Sequence, residues 1–115
     1  MIGERIVKDE IYKNYRIIVR ELQSGMNIFS MPGYWYCGYV VIPKDSRFYG
    51  IDYRDIENKF DVHGGLTFSG EIDGIDGYLL GFDCAHFEDN PYEQDEEYTL
   101  AECKRLVDQI IEVGK

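Results

Sequence analysis

The chain has 115 residues, enough for one domain around one core, and no second domain is expected over 1–115. Its hydrophobic content of 44%, with 15% aromatic residues, excludes a disordered chain even though 30% of residues are charged. The net charge of −10 is uneven, nine basic against eight acidic side chains in residues 1–60 and three against fourteen in 61–115; that field repels a phosphate polymer and argues against duplex nucleic acid as a partner.

In chain order, "RIVKDEIY" (5–12) reads as a short strand, followed by strands over "NYRIIVREL" (14–22) and "GYWYCGYVVI" (33–42), all rich in β-branched and aromatic residues. The opening "MIGERIVKDE" lacks the apolar core of a secretory leader, and no window approaches the roughly 18 apolar residues of a membrane helix. The long connection "PKDSRFYGIDYRDIENKFDV" (43–62) holds a helical turn around "DIENKF" and, at this length, reads as functional. Two more strands, "GGLTFSGEI" (64–72) and "GYLLGFDCAHF" (77–87), are joined through "DGIDG" as a hairpin. After the acidic tract "EDNPYEQDEE" (88–97), a solvated loop, comes a helix over 99–113. A capping box of Thr99 and Glu102 starts it, and Leu100, Cys103, Leu106, Val107, Ile110 and Ile111 form its apolar stripe. The expected fold is α+β: a mostly antiparallel sheet of four to five strands with the C-terminal amphipathic helix on one face. The other face, with the long middle loop, is left to solvent, a partner or a ligand.

Two registers compete for the hairpin. With Phe68 opposite Phe82, residues Leu66, Phe68, Ile72, Leu80, Phe82 and Cys84 share an apolar face and Thr67 lies across from Asp83 beside His63. With His63 opposite His86, Leu66 and Phe68 share their face with Asp83. Clean burial of one face favours the first. In either register strand alternation turns Asp83 away from Cys84 and His86, toward His63, unless a bulge near Gly81 re-aims it.

The chemistry on offer centres on His63, Thr67 and Asp83 as a catalytic group, with His63 as general acid or base, Asp83 orienting it and Thr67 contacting substrate. His86 stands close by as a ligand-binding residue. The middle loop supplies Lys44 and Arg47 for a phosphate and Tyr49 and Tyr53 for a base. Zinc on Cys84, His86, His63 and a carboxylate has only one ligand pair at close spacing, so no metal or other cofactor is expected. Cys84 reads as a core thiol. Three cysteines, Cys37, Cys84 and Cys103, none in a CxxC pair, suit a reduced, cytoplasmic protein.

The paired motifs "DVHGGLTFSG" (61–70) and "GFDCAHFEDN" (81–90), after a "GYVVIP" strand and before a helix with "AECKRL", resemble a family of small uncharacterised bacteriophage proteins, from about Gly33 to Ile111. The resemblance implies a phage or prophage product acting in the bacterial host cytoplasm. In that context the residues point to binding, and hydrolysis by a histidine-dependent phosphodiesterase, of a nucleotide or cyclic nucleotide signal in a counter-defence role. The alternative is a non-catalytic, acidic interaction protein, a homo-oligomer or an inhibitor of a host protein, using the strand "YWYCGYVV" as its interface and its acidic second half as a charge-complementary surface.

Overall fold

The computed structural model describes residues 3–24 and 33–114. Strands β1 (Gly3–Tyr12), β2 (Tyr15–Gln23), β3 (Tyr34–Ile42), β4 (Phe68–Ile72) and β5 (Ile75–Asp83) form one sheet in the order β1-β2-β3-β5-β4, with every neighbouring pair antiparallel. Helix α1 (Glu96–Val113) packs across β1, β2 and β3. This is the single α+β domain that the periodicities predict. Among the described residues no helix is long and apolar enough to cross a membrane.

Strand β1 is longer than the sequence implied. It runs back from β2 through the two-residue turn Lys13–Asn14, where φ of 50° and 70° gives the left-handed pair that such a hairpin needs. Strand β3 lies in the middle of the sheet with Tyr36, Cys37, Tyr39, Val40 and Ile42 buried, so "YWYCGYVV" is core and not a free interface.

Both faces of the sheet are apolar, for alternate residues of β2, β3 and β5 sort into two clusters. Ile17, Val19, Val40, Leu80 and Phe82 face the helix stripe of Leu100, Cys103, Leu106, Val107 and Ile110. Ile18, Cys37, Tyr39, Ile75 and Leu79 form a second cluster on the opposite face. The middle segment also packs on the helix side, through Phe48, Ile56, Phe60 and Val62, with 3₁₀ turns at Tyr53–Asp55 and Glu57–Lys59. The expectation that it would lie over the other face is therefore corrected. Its buried residues have no period, so nothing in their spacing marked which layer they join.

The second hairpin register is the one adopted. Phe68 pairs with Gly81, Ser69 with Leu80 and Gly70 with Leu79, and the register shifts between Gly70 and Ile72 before Ile72 meets Ile75. The favoured register assumed one apolar face. Because the sheet buries apolar side chains on two faces, that criterion had no discriminating power. The helix also begins earlier than the Thr99 capping box. Asp95 is the N-cap, its carboxylate accepting from Tyr98 N at 2.9 Å, while Thr99 and Glu102 lie buried within the helix.

Close approach of helix and sheet depends on Gly38. A Cβ there would lie 2.5 Å from Phe82 Cζ and 2.7 Å from Cys103 Sγ, atoms buried in the centre of the core. Gly38→Ala is expected to lower unfolding free energy by about 1–3 kcal/mol, since an overpacked core shifts its rings or its helix. Urea denaturation followed by circular dichroism measures it, and a loss of a few tenths or less would place the helix further from β3 than described.

Candidate functional site

β5 ends at Asp83, and from there alternation no longer governs which way side chains point. The chain turns through residues 84–90 and comes back against the turn at 62–65, so two segments that the sequence read as extended meet as loops. His63 sits in the second of these turns, where Gly65 N donates to Val62 O at 2.9 Å and Gly64 takes φ of +69°. A Cβ on Gly64 would fall 2.0 Å from His86 Nε2, so the glycine gives the His86 ring its place over the turn.

Three groups fix His63. Its backbone N–H donates to Glu102 Oε1 at 2.8 Å, its Nδ1 lies 2.8 Å from Tyr98 Oη, and its Nε2 lies 2.8 Å from both oxygens of Asp89. Asp89 is buried and also accepts from His86 N at 2.9 Å. Burial, with the Glu102 carboxylate next in weight, pushes the Tyr98 hydroxyl up from its ordinary pKa. Both ring nitrogens of His63 are thus engaged by protein atoms, which makes the ring a tie between turn, loop and helix and leaves no nitrogen to work on a substrate as it stands.

Asp83 does not meet His63. Its Oδ2 accepts from Thr67 Oγ1 at 2.9 Å and its Oδ1 from Ala85 N at 3.1 Å, with His86 Nε2 at 3.4 Å from Oδ1. The expected pairing of Thr67 with Asp83 is present, although the strand register is the other one. The expected separation of Asp83 from His86 is corrected, because the turn after the strand brings His86 back. The His63 and His86 rings stand 5.8 Å apart between centroids. Thr67, Asp83, His86 and His63 are therefore neighbours, with Asp89 and Tyr98 as members that the sequence reading missed. Asp89 lay in a tract read as solvated, and no spacing distinguished it from the acids around it.

On the sheet face away from the helix, Thr67 and Asp83 border a cleft of about 350 Å³ whose other walls include Trp35, Tyr39 and Phe68. The rings of Tyr39 and Phe68 meet edge to face at 5.8 Å across the Gly81 position. Arg20, opposite Cys37 on the adjoining strand, lies over the Tyr39 ring at 5.1 Å and donates to its hydroxyl at 2.9 Å. The cleft is aromatic with one carboxylate, and its size falls in the lower range of small-molecule sites.

The remaining expected ligand residues lie elsewhere. Arg47 donates to Val113 O at 3.3 Å, at the C-terminal end of the helix whose N-terminal turn holds Tyr98. Tyr98 and Val113 are separated by roughly 22 Å at 1.5 Å per residue. Tyr49 packs on Tyr78, Tyr53 N donates to Ser69 Oγ, and Lys44 is exposed beside them in the chain. Lys44, Arg47 and Tyr49 thus lie away from His63, whereas Tyr53 stands against β4 at Ser69, two residues past Thr67. The three thiols are buried: desolvation pushes Cys37 up to about 11, and Cys84 and Cys103 up to about 12. Such thiols are poor nucleophiles. Among the described residues no three His, Cys, Asp or Glu side chains converge to hold a metal ion.

No family model matches the chain, and no curated protein or solved structure matches it either.

Asp89→Ala leaves His63 Nε2 and His86 N without their buried acceptor, and a stability loss of about 2–4 kcal/mol is expected. Asp89→Asn, which keeps one acceptor oxygen, should lose less. Equal stability of all three proteins in denaturant titration would show that the two loops do not depend on this carboxylate.

Proposed function

We propose that this protein binds a nucleotide, or a nucleoside related to it, by its base, with the base lying in the cleft of Trp35, Tyr39 and Phe68 beside Thr67 and Asp83. The aromatic walls carry the proposal: every base offers a π face to such rings, and the polar edge of the cleft supplies orientation. The sugar and phosphate then extend toward solvent, because Lys44 and Arg47 are too distant to reach a ligand seated there. Recognition is by the base rather than by phosphate, which agrees with a net charge of −10.

The arrangement favours binding over hydrolysis. His63 has both ring nitrogens bonded to protein atoms, and His86 Nε2 is buried against Gly64 without a hydrogen bond. In a phage context of the kind the paired motifs resemble, such a protein would act in counter-defence by sequestering a host nucleotide signal. A second reading, an oligomeric interaction protein, has one observation in its favour: the edge strand β1 exposes Ile6 and Ile11. Sedimentation of the isolated chain separates the two, a monomer removing the oligomer.

Trp35 is the sole tryptophan, so the cleft carries its own reporter. Nucleosides are expected to quench its fluorescence saturably, a nucleoside binding at least as tightly as its monophosphate at low salt. Phe68→Ala should weaken binding about 10-fold or more, given roughly 1–3 kcal/mol for a stacked base. No quenching up to millimolar nucleoside would end this reading.

A further inference from the structure

The cleft sets one carboxylate among rings, and that carboxylate is held in place before any ligand arrives. Thr67 Oγ1 fixes one oxygen of Asp83 and Ala85 N the other, while the side chain remains 29% exposed. An ionised carboxylate has about four lone-pair positions and only accepts. His86 Nε2 stands 3.4 Å from Oδ1 but makes no hydrogen bond to it, so each oxygen retains capacity for a further donor, and neither can serve an acceptor on the ligand.

We infer, resting on the reading of the cleft as a base site, that Asp83 selects a guanine-type base and that Thr67 is the residue positioning it. A guanine edge presents a ring N–H and an exocyclic amino group side by side, two parallel donors that match the two carboxylate oxygens. Adenine and cytosine place a ring nitrogen lone pair beside their amino group. Uracil flanks its single N–H with two carbonyl oxygens. Each of these sets an acceptor against Asp83, a mismatch that costs more than the absence of a contact because the charged group is left facing a lone pair in a partly desolvated site. A neutral base also enters an acidic protein without the charge penalty that a phosphate would meet.

The test is a Trp35 fluorescence titration of the full chain with guanosine, inosine, adenosine and cytidine, and with tetramethylammonium as a cation probe. Guanosine is expected to bind tightest, inosine, which lacks the amino group, about 10-fold weaker, and adenosine and cytidine weaker by about 100-fold. Asp83→Asn should bring guanosine to the level of adenosine, and Thr67→Val should reduce the guanosine preference without abolishing stacking. Asp76→Asn, which removes an exposed charge near the other end of β5, should leave the preference unchanged. The nucleoside series on the unaltered protein stands by itself if Asp83→Asn does not fold. Equal affinities for the four nucleosides, or a guanosine preference that survives in folded Asp83→Asn, would overturn this inference while leaving the base site intact. Binding of tetramethylammonium but no nucleoside would overturn both, since rings and carboxylate would then serve a cation.

Discussion

The buried carboxylate of Asp89 is the constraint on which the arrangement of the site depends. It accepts from the ring of His63 on one loop and from the backbone of His86 on another, and Tyr98 and Glu102 tie the same histidine to the helix. A charge taken this far out of water is tolerable only with such partners. Their geometry obliges the chain after β5 to bend back over Gly64. That bend puts His86 beside Asp83, which its pairing with Cys37 holds at the end of β5, where Thr67 and the aromatic side chains of β3 and β4 surround a cleft.

The two faces of the sheet serve different ends. On one, Gly38 lets Phe82 and Cys103 approach the strand closely, and the middle segment adds Phe48 and Phe60, so this face is filled by packing. On the other, Ile18, Tyr39 and Leu79 lie buried at the centre, and toward the start of β3 and the end of β5 the side chains become Trp35 and Asp83. Rigid strands thus carry most of the walls of the cleft, and only Thr67 and Ala85 come from its loops. That placement suits a site in which orientation of one carboxylate decides what fits.

Much of the fold was legible in the sequence because its signals are local. Periodicity places strands over 14–22 and 33–42, observed at Tyr15–Gln23 and Tyr34–Ile42, and it marks the helix stripe from Leu100 to Ile110. What periodicity misjudged depends on tertiary context. The helix start moved to Asp95 because Thr99 and Glu102 were needed inside the core and at His63. The hairpin register followed a sheet with two apolar faces, which no single strand announces. Asp83, Thr67 and His63 were recognised as a neighbourhood, with His86 turned away from Asp83, yet His86 lies beside Asp83 and the partner of His63 proved to be Asp89, because strand alternation was extended past the point where the strand ends. The grouping with Lys44 and Arg47 rested on their chemistry alone, and the length of α1 separates them from the histidines.

Under the proposed function the cleft beside Asp83, and not the basic middle loop, receives the ligand. Amide and indole resonances of the uniformly ¹⁵N-labelled protein, followed during titration with guanosine, test this most directly. Saturable shifts are expected at the Trp35 indole N–H and at the Thr67, Phe68, Asp83 and Ala85 amides, with Arg47 and Tyr49 unmoved. Shifts confined to residues 44–54, with the Trp35 indole unchanged, would contradict it.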